Sequence, residues 1–148
     1  VTPEQLHEMA VTAFREGDTQ QLKYLCDLGV VACGSAGLGL EFLKLRGIFF
    51  AQSGDLANAR IDLLTVLEVN PNDEIAFSNY ITACLDANDR SSAVKAIEQF
   101  YSSFSNESKG IILCSIKEAI RVGTLMVEEL PDFAITDLAE FLKVKSSA

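Results

Sequence analysis

The side chains that could carry chemistry are few and scattered. The single imidazole, His7, is the one candidate for a neutral-pH general base. Its neighbours Glu4 and Glu8 mark a polar helix face, so it reads as a surface histidine. The cysteines Cys26, Cys33, Cys84 and Cys114 are widely spaced and contain no C-x-x-C. A zinc site needs close ligand spacing and more than one histidine. Each thiol falls among apolar neighbours such as Leu25, Val31, Leu85 and Leu113, the setting of a free cysteine packed as a small hydrophobe. Neither a G-x-S-x-G elbow nor H-E-x-x-H occurs. The acidic pairs Asp73-Glu74 and Glu128-Glu129 lie at expected helix ends, where capping or solvation explains them, and no acidic run has calcium-loop spacing. The segment Gly29–Gly39, GVVACGSAGLG, lacks the G-K-[ST] ending of a phosphate loop and follows no strand pattern. It reads as a packed, charge-free connector. These residues predict no enzyme, no metal and no cofactor.

Charge narrows the partners. Twelve Lys and Arg against 21 Asp and Glu give a net charge of −9. Nucleic-acid binding depends on clustered basic residues, and an anionic membrane surface attracts the same clusters. Both are disfavoured, and a basic or apolar protein segment is the better electrostatic match. No signal-peptide pattern is visible, and no apolar run reaches the roughly 20 residues that span a bilayer. Reduced thiols fit a cytoplasmic location without excluding an oxidising one. The start at Val1 rather than Met leaves open a trimmed upstream segment, and with it secretion or a lost anchor. With 148 residues and 49% hydrophobic side chains, the chain is long enough to bury a core as one domain, 1–148.

The elements that would position any site are helical. Thr2-Pro3-Glu4-Gln5 is a helix start: Thr2 as cap, Pro3 at the first helical position and Gln5 completing a capping box. Leu6, Met9, Ala10, Ala13 and Phe14 follow at helical spacing. Gly17-Asp18 makes a turn, and Leu22, Leu25 and Cys26 form the stripe of a second helix. From Leu40 to Asp73 a helix–turn–helix unit is complete. Gly47 admits a close partner helix and should face Ala59, Phe50 is the large apolar wedge, Gly54-Asp55 is the turn and Pro71 closes the unit. Asn88-Asp89 recurs 34 residues after Gly54-Asp55. Phe77, Cys84, Ala93 and Ile97 then take the positions of Leu43, Phe50, Ala59 and Leu63. Ile81 replaces Gly47, which sets that second pair slightly further apart, and Asp89 can cap its second helix. Beyond Asn106 the fingerprint fades. Ile111, Ile112, Ile116, Ala119 and Ile120 still trace one helical face, and Gly123 can end it. Pro131 opens a last helix bearing Phe133, Ile135, Leu138, Phe141 and Leu142, with Lys143 and Lys145 at its cation-favouring end.

The unit at 40–73 resembles a tetratricopeptide repeat, W-x2-L-G-x2-Y…A-x3-F…P at a period of about 34 residues, with Leu43 in place of the Trp and Leu63 of the Phe. Residues 74–107 give a second clear unit, 3–39 a degenerate first unit, and 108–145 a divergent capping pair. The resemblance implies an all-α fold: about four antiparallel helix pairs in a right-handed superhelix. It also implies a protein–protein interaction module, an adaptor, scaffold or chaperone-like domain that holds a peptide or helix of a partner in a concave groove. Carried over by position, that groove would show Glu41, Lys44, Ile48, Ala51 and Gln52 from one unit and Ile75, Ser78, Asn79, Thr82 and Leu85 from the next. Ile48, Ile75 and Leu85 are expected to be exposed in one row. Family members that grip a C-terminal carboxylate use Lys and Asn where Lys44, Asn79 and Lys109 fall, but Ile48 and Leu113 stand where that pattern has Asn and Arg. The alternative is a structural domain that forms homo-oligomers through its terminal helices.

Overall fold

The structure, a computed structural model, describes residues 1–146, with side chains described through Lys143. Lys145, expected at the end of the last helix, has its side chain outside the described part. The described chain is all-helical: α1 (Pro3–Glu16), α2 (Thr19–Cys33), α3 (Leu38–Gln52), α4 (Leu56–Val69), α5 (Glu74–Asp86), α6 (Arg90–Phe100), α7 (Asn106–Arg121) and α8 (Asp132–Ser146). Short 3-10 turns at Tyr101–Ser103 and Val127–Glu129 precede α7 and α8.

Local chemistry starts these helices. Thr2 and Gln5 exchange both hydrogen bonds of a capping box at α1. Asp18, Asp55, Asp73 and Asp89 each accept from a backbone N–H three residues on, capping α2, α4, α5 and α6, and Ser105 does the same for α7. An N-cap of this kind contributes about 1 kcal/mol. Of the two acidic pairs, Asp73-Glu74 therefore opens α5. In the other, Glu129 accepts from the Met126 backbone N–H at 3.2 Å and lies 3.5 Å from Arg90.

Each helix from α1 to α6 packs on its chain neighbour, and α7 packs on α8. The odd-numbered helices also touch in series, α1 on α3, α3 on α5 and α5 on α7. They form a contiguous layer. The main core runs from Leu40 to Leu138, centred on Leu63, Leu67, Phe77, Ile97, Tyr101 and Ile112. A smaller cluster of Ala10, Ala13, Leu22, Leu25, Cys26 and Phe42 holds the first pair against α3, with Val30 packed on both.

Several expected contacts come out differently. A Cβ on Gly47 would meet Leu63 at 2.8 Å and Asp62 at 3.3 Å, so Gly47 packs against the turn after Ala59 rather than Ala59 itself. Ala59 is nonetheless fully buried. Phe50 is half-buried rather than a core wedge, and Lys23 and Arg46 place their cations about 6 Å from its ring centroid. Gly29 belongs to α2 and lies against the Phe42 ring, where an added Cβ would come within 2.3 Å. The connector is only the exposed stretch 34–37, not a packed segment. His7 is half-buried and meets the Phe42 ring edge-on at 5.6 Å. Met9, Phe14, Ile111, Phe133 and Leu142, read as apolar-face positions, are exposed, each at the margin of its helix stripe.

Candidate functional site

The ten residues assigned to a groove lie on two adjacent odd helices, five on α3 and five on α5. Lys44 Nζ donates to Asp73 Oδ2 at 2.9 Å and lies 3.3 Å from Glu41. Burial favours the neutral amine, but Asp73 and Glu41 outweigh it and hold the Lys44 pKa above its ordinary value. Lys44 is thus part of a bridge from α3 to the cap of α5. Further along α3, Ile48 is half-buried and Gln52 exposed. On α5, Ile75 is 54% exposed, and Asn79 donates its side-chain amide to the Ile75 carbonyl at 2.8 Å. Leu85 packs against the main core. The row of three exposed apolar side chains is therefore not formed: Ile75 alone is exposed, while Ile48 and Leu85 are half-buried. The carboxylate-gripping positions are similarly engaged. Lys109 sits 5.2 Å from the Tyr101 ring centroid, and Leu113 is buried.

Ser78, Thr82 and Leu85 do come together, in a recess of about 220 Å³ between α5 and α7. Its floor is the buried set Phe77, Ile81, Ile112 and Ile116. Ser115 and Ala119 close the α7 side, and Val122 and Thr124 close the end beyond that helix. Of the four hydroxyl groups around it, those of Thr82, Ser115 and Thr124 already donate their protons, whereas Ser78 donates to no neighbour in the described structure. Thr82 donates to the Ser78 carbonyl at 2.9 Å, Ser115 to Ile111 at 3.4 Å and Thr124 to Ala119 at 3.1 Å. Those three oxygens are left with lone pairs and accept hydrogen bonds. The single charged lining residue is the exposed Asp86. The chemistry on offer is burial of an apolar side chain beside hydrogen-bond acceptors.

Reading the sequence missed the α7 half of this recess. The residues Ile112, Ile116 and Ala119 are legible as an apolar face by their helical spacing. Without the repeat fingerprint after Asn106, nothing aligned that face with α5. The signal available was ordinal: a fourth pair continuing the stack places its first helix beside α5.

A contrasting cluster joins α2, α3 and α4. Arg46 donates through Nε and Nη2 to both Asp62 oxygens at 2.7 and 2.9 Å, and through Nη1 to Asp27 at 3.1 Å. Asp62 is only 4% exposed. The Asp62 hydrogen bonds raise the Arg46 pKa further above its ordinary value. Arg60 and Asp89 tie α4 to the cap of α6 in the same way.

The thiols divide. Cys26 and Cys84 are buried, Cys33 is half-buried and Cys114 is exposed, contrary to its expected packing, on the face of α7 opposite Ile112 and Ile116. Burial pushes the Cys26 thiol up to about 12. No group of three His, Cys, Asp or Glu among the described residues is arranged to hold a metal. No helix among them is long and apolar enough to cross a membrane. Compared with protein-family models, with curated proteins and with solved structures, the chain matches none.

Proposed function

We propose that this chain is a protein-binding module, tetratricopeptide-like in its stacking of helix pairs, and that the recess between α5 and α7 anchors a side chain of the bound segment. The observation that carries this reading is an apolar floor of core residues left open between two neighbouring helices of the odd-numbered layer. Its size supports this reading: about 220 Å³ is smaller than the roughly 300–1,000 Å³ typical of clefts that enclose small molecules. It suits one large apolar side chain. Burying such a side chain contributes about 1.5–3 kcal/mol, so further contacts along the α3–α5 face, near Gln52, Ile75 and Asn79, would supply the remaining affinity. The partner is a basic or apolar peptide or helix, because the chain carries −9 and like charge opposes an acidic one.

The test is selection of random linear peptides on the folded chain, with Ser115→Phe as the counter-target. Ser115 is exposed on the rim, and a phenyl ring there plugs the recess without altering charge or core. Peptides that enrich on the parent chain and lose binding to the plugged variant support the reading. Failure to enrich any peptide, or equal binding to the plugged variant, overturns it.

A further inference from the structure

We infer that the recess selects an apolar anchor flanked by a lysine or arginine; the inference rests on the binding reading above and concerns which segments bind. The recess has one electrostatically distinct end. There α5 finishes at Leu85 and Asp86, and α7 finishes beside Ala119, Val122 and Thr124. Two helix C-termini thus converge on one corner, each carrying a partial negative charge of roughly half a unit from its aligned peptide dipoles.

Asp86 adds a full negative charge to that corner. An aspartate in the last turn opposes its own helix dipole, and no hydrogen bond or ion pair of the described structure engages its carboxylate as a cap. Its placement costs α5 stability and gives the corner its sign. The basic residue of α7's last turn, Arg121, is held by both Glu118 oxygens, with Nε at 2.9 Å. No Lys or Arg lines the recess. The rim hydroxyls of Thr82 and Thr124 present lone pairs rather than protons. Acceptors, helix ends and a carboxylate therefore face the ligand together, and each favours a cationic donor next to the buried anchor. A segment with Glu or Asp at that place meets the same groups as repulsion.

The experiment reads the composition of the selected peptides and reverses it. Peptides whose binding depends on an unplugged recess should be enriched in Lys or Arg beside an aromatic or aliphatic residue. Asp86→Asn should weaken them about two- to fivefold, the size expected of an exposed ion pair, and added salt should shrink that difference. Selection on Asp86→Lys should shift the flanking position toward Glu and Asp. Plug-sensitive peptides with no basic enrichment, or an unchanged preference on Asp86→Lys, would overturn this inference and leave the recess itself standing. Peptides insensitive to the plug would remove both.

Discussion

The seam between α2, α3 and α4 and the seam between α5 and α7 are built from the same kind of helix but finished differently. In the first, Arg46 joins Asp27 and Asp62 across three helices, and Gly29 and Gly47 let aromatic and aliphatic side chains lie directly on backbone. Its charged groups are paired, and the space over its two glycines is filled by side chains. In the second, no ion pair crosses from α5 to α7 among the described residues, and a recess remains over the core side chains. Paired charges and close packing complete a surface for the chain itself. On the proposed reading, the apolar seam left open is completed by a partner segment.

The sharpest way to break this contrast is to unpair the filled seam. Arg46→Met strands the Asp62 carboxylate, whose side chain is 6% exposed, and should cost about 3–5 kcal/mol. The double variant Arg46→Met/Asp62→Leu should recover most of that loss, since a packed apolar pair can replace a buried ionic one. Urea denaturation midpoints with unchanged slopes would establish both values. If the single variant costs under about 1 kcal/mol, in the range of a surface pair, the seam is not held by this cluster.

Glycine gives the same contrast with opposite signs. Gly29→Ala and Gly47→Ala drive a methyl into Phe42 and Leu63 and should each cost about 1–3 kcal/mol. Gly110, inside α7, has no heavy atom within 4 Å of an added Cβ. Gly110→Ala should therefore stabilise by roughly 0.5–1 kcal/mol through helix propensity alone. Melting curves of the three variants decide it, and a loss at Gly110 would mean that α7 is packed on that side.

Acid should loosen the ion-paired region. Burial pushes the Asp27 carboxyl up, but hydrogen bonds from Lys23 and Arg46 outweigh it and hold it below 3.8. Ser92 hydrogen bonds and then Arg60 hold Asp89 below the same value. A depressed carboxyl contributes stability above its unfolded pKa and loses it as pH falls through the folded one. The melting temperature should thus be flat near neutrality and drop below about pH 4. Arg46→Met should blunt the part of that drop owed to Asp27. An acid limb identical in parent and variant would detach Asp27 from the effect.

The smallest effect concerns the thiols. In the folded chain a thiol reagent should modify Cys114 first and Cys33 more slowly, while Cys26 and Cys84 should stay protected until unfolding. Mass-mapped labelling checks the order.

Much of the all-helical fold was legible because its signals are local. Pro3, Gly17-Asp18, Gly54-Asp55 and Asn88-Asp89 mark starts and turns that depend on a few neighbouring backbone groups. Packing partners were less legible. Helical spacing states that Gly47 faces a helix, but whether it meets Ala59 or Leu63 depends on crossing geometry. Lys44 looked available because its acceptor, Asp73, lies 29 residues away at the start of the next pair. The recess was half-visible for the same reason: Ser78, Thr82 and Leu85 stood on a helix whose register was clear, and Ile112, Ser115 and Ile116 on one whose register was not.

If the opening between α5 and α7 anchors a partner segment, amide chemical-shift mapping should locate the bound segment there. A recess-selected peptide should be titrated into isotopically labelled chain and the shifted backbone signals assigned. Shifts should concentrate at 77–86 and 112–124 and extend along the exposed face of α3, with the α2–α4 ion cluster unmoved. Shifts centred instead on the groove between α1 and α2, around Glu8, Met9 and Leu25, with 112–124 silent, would contradict that anchoring.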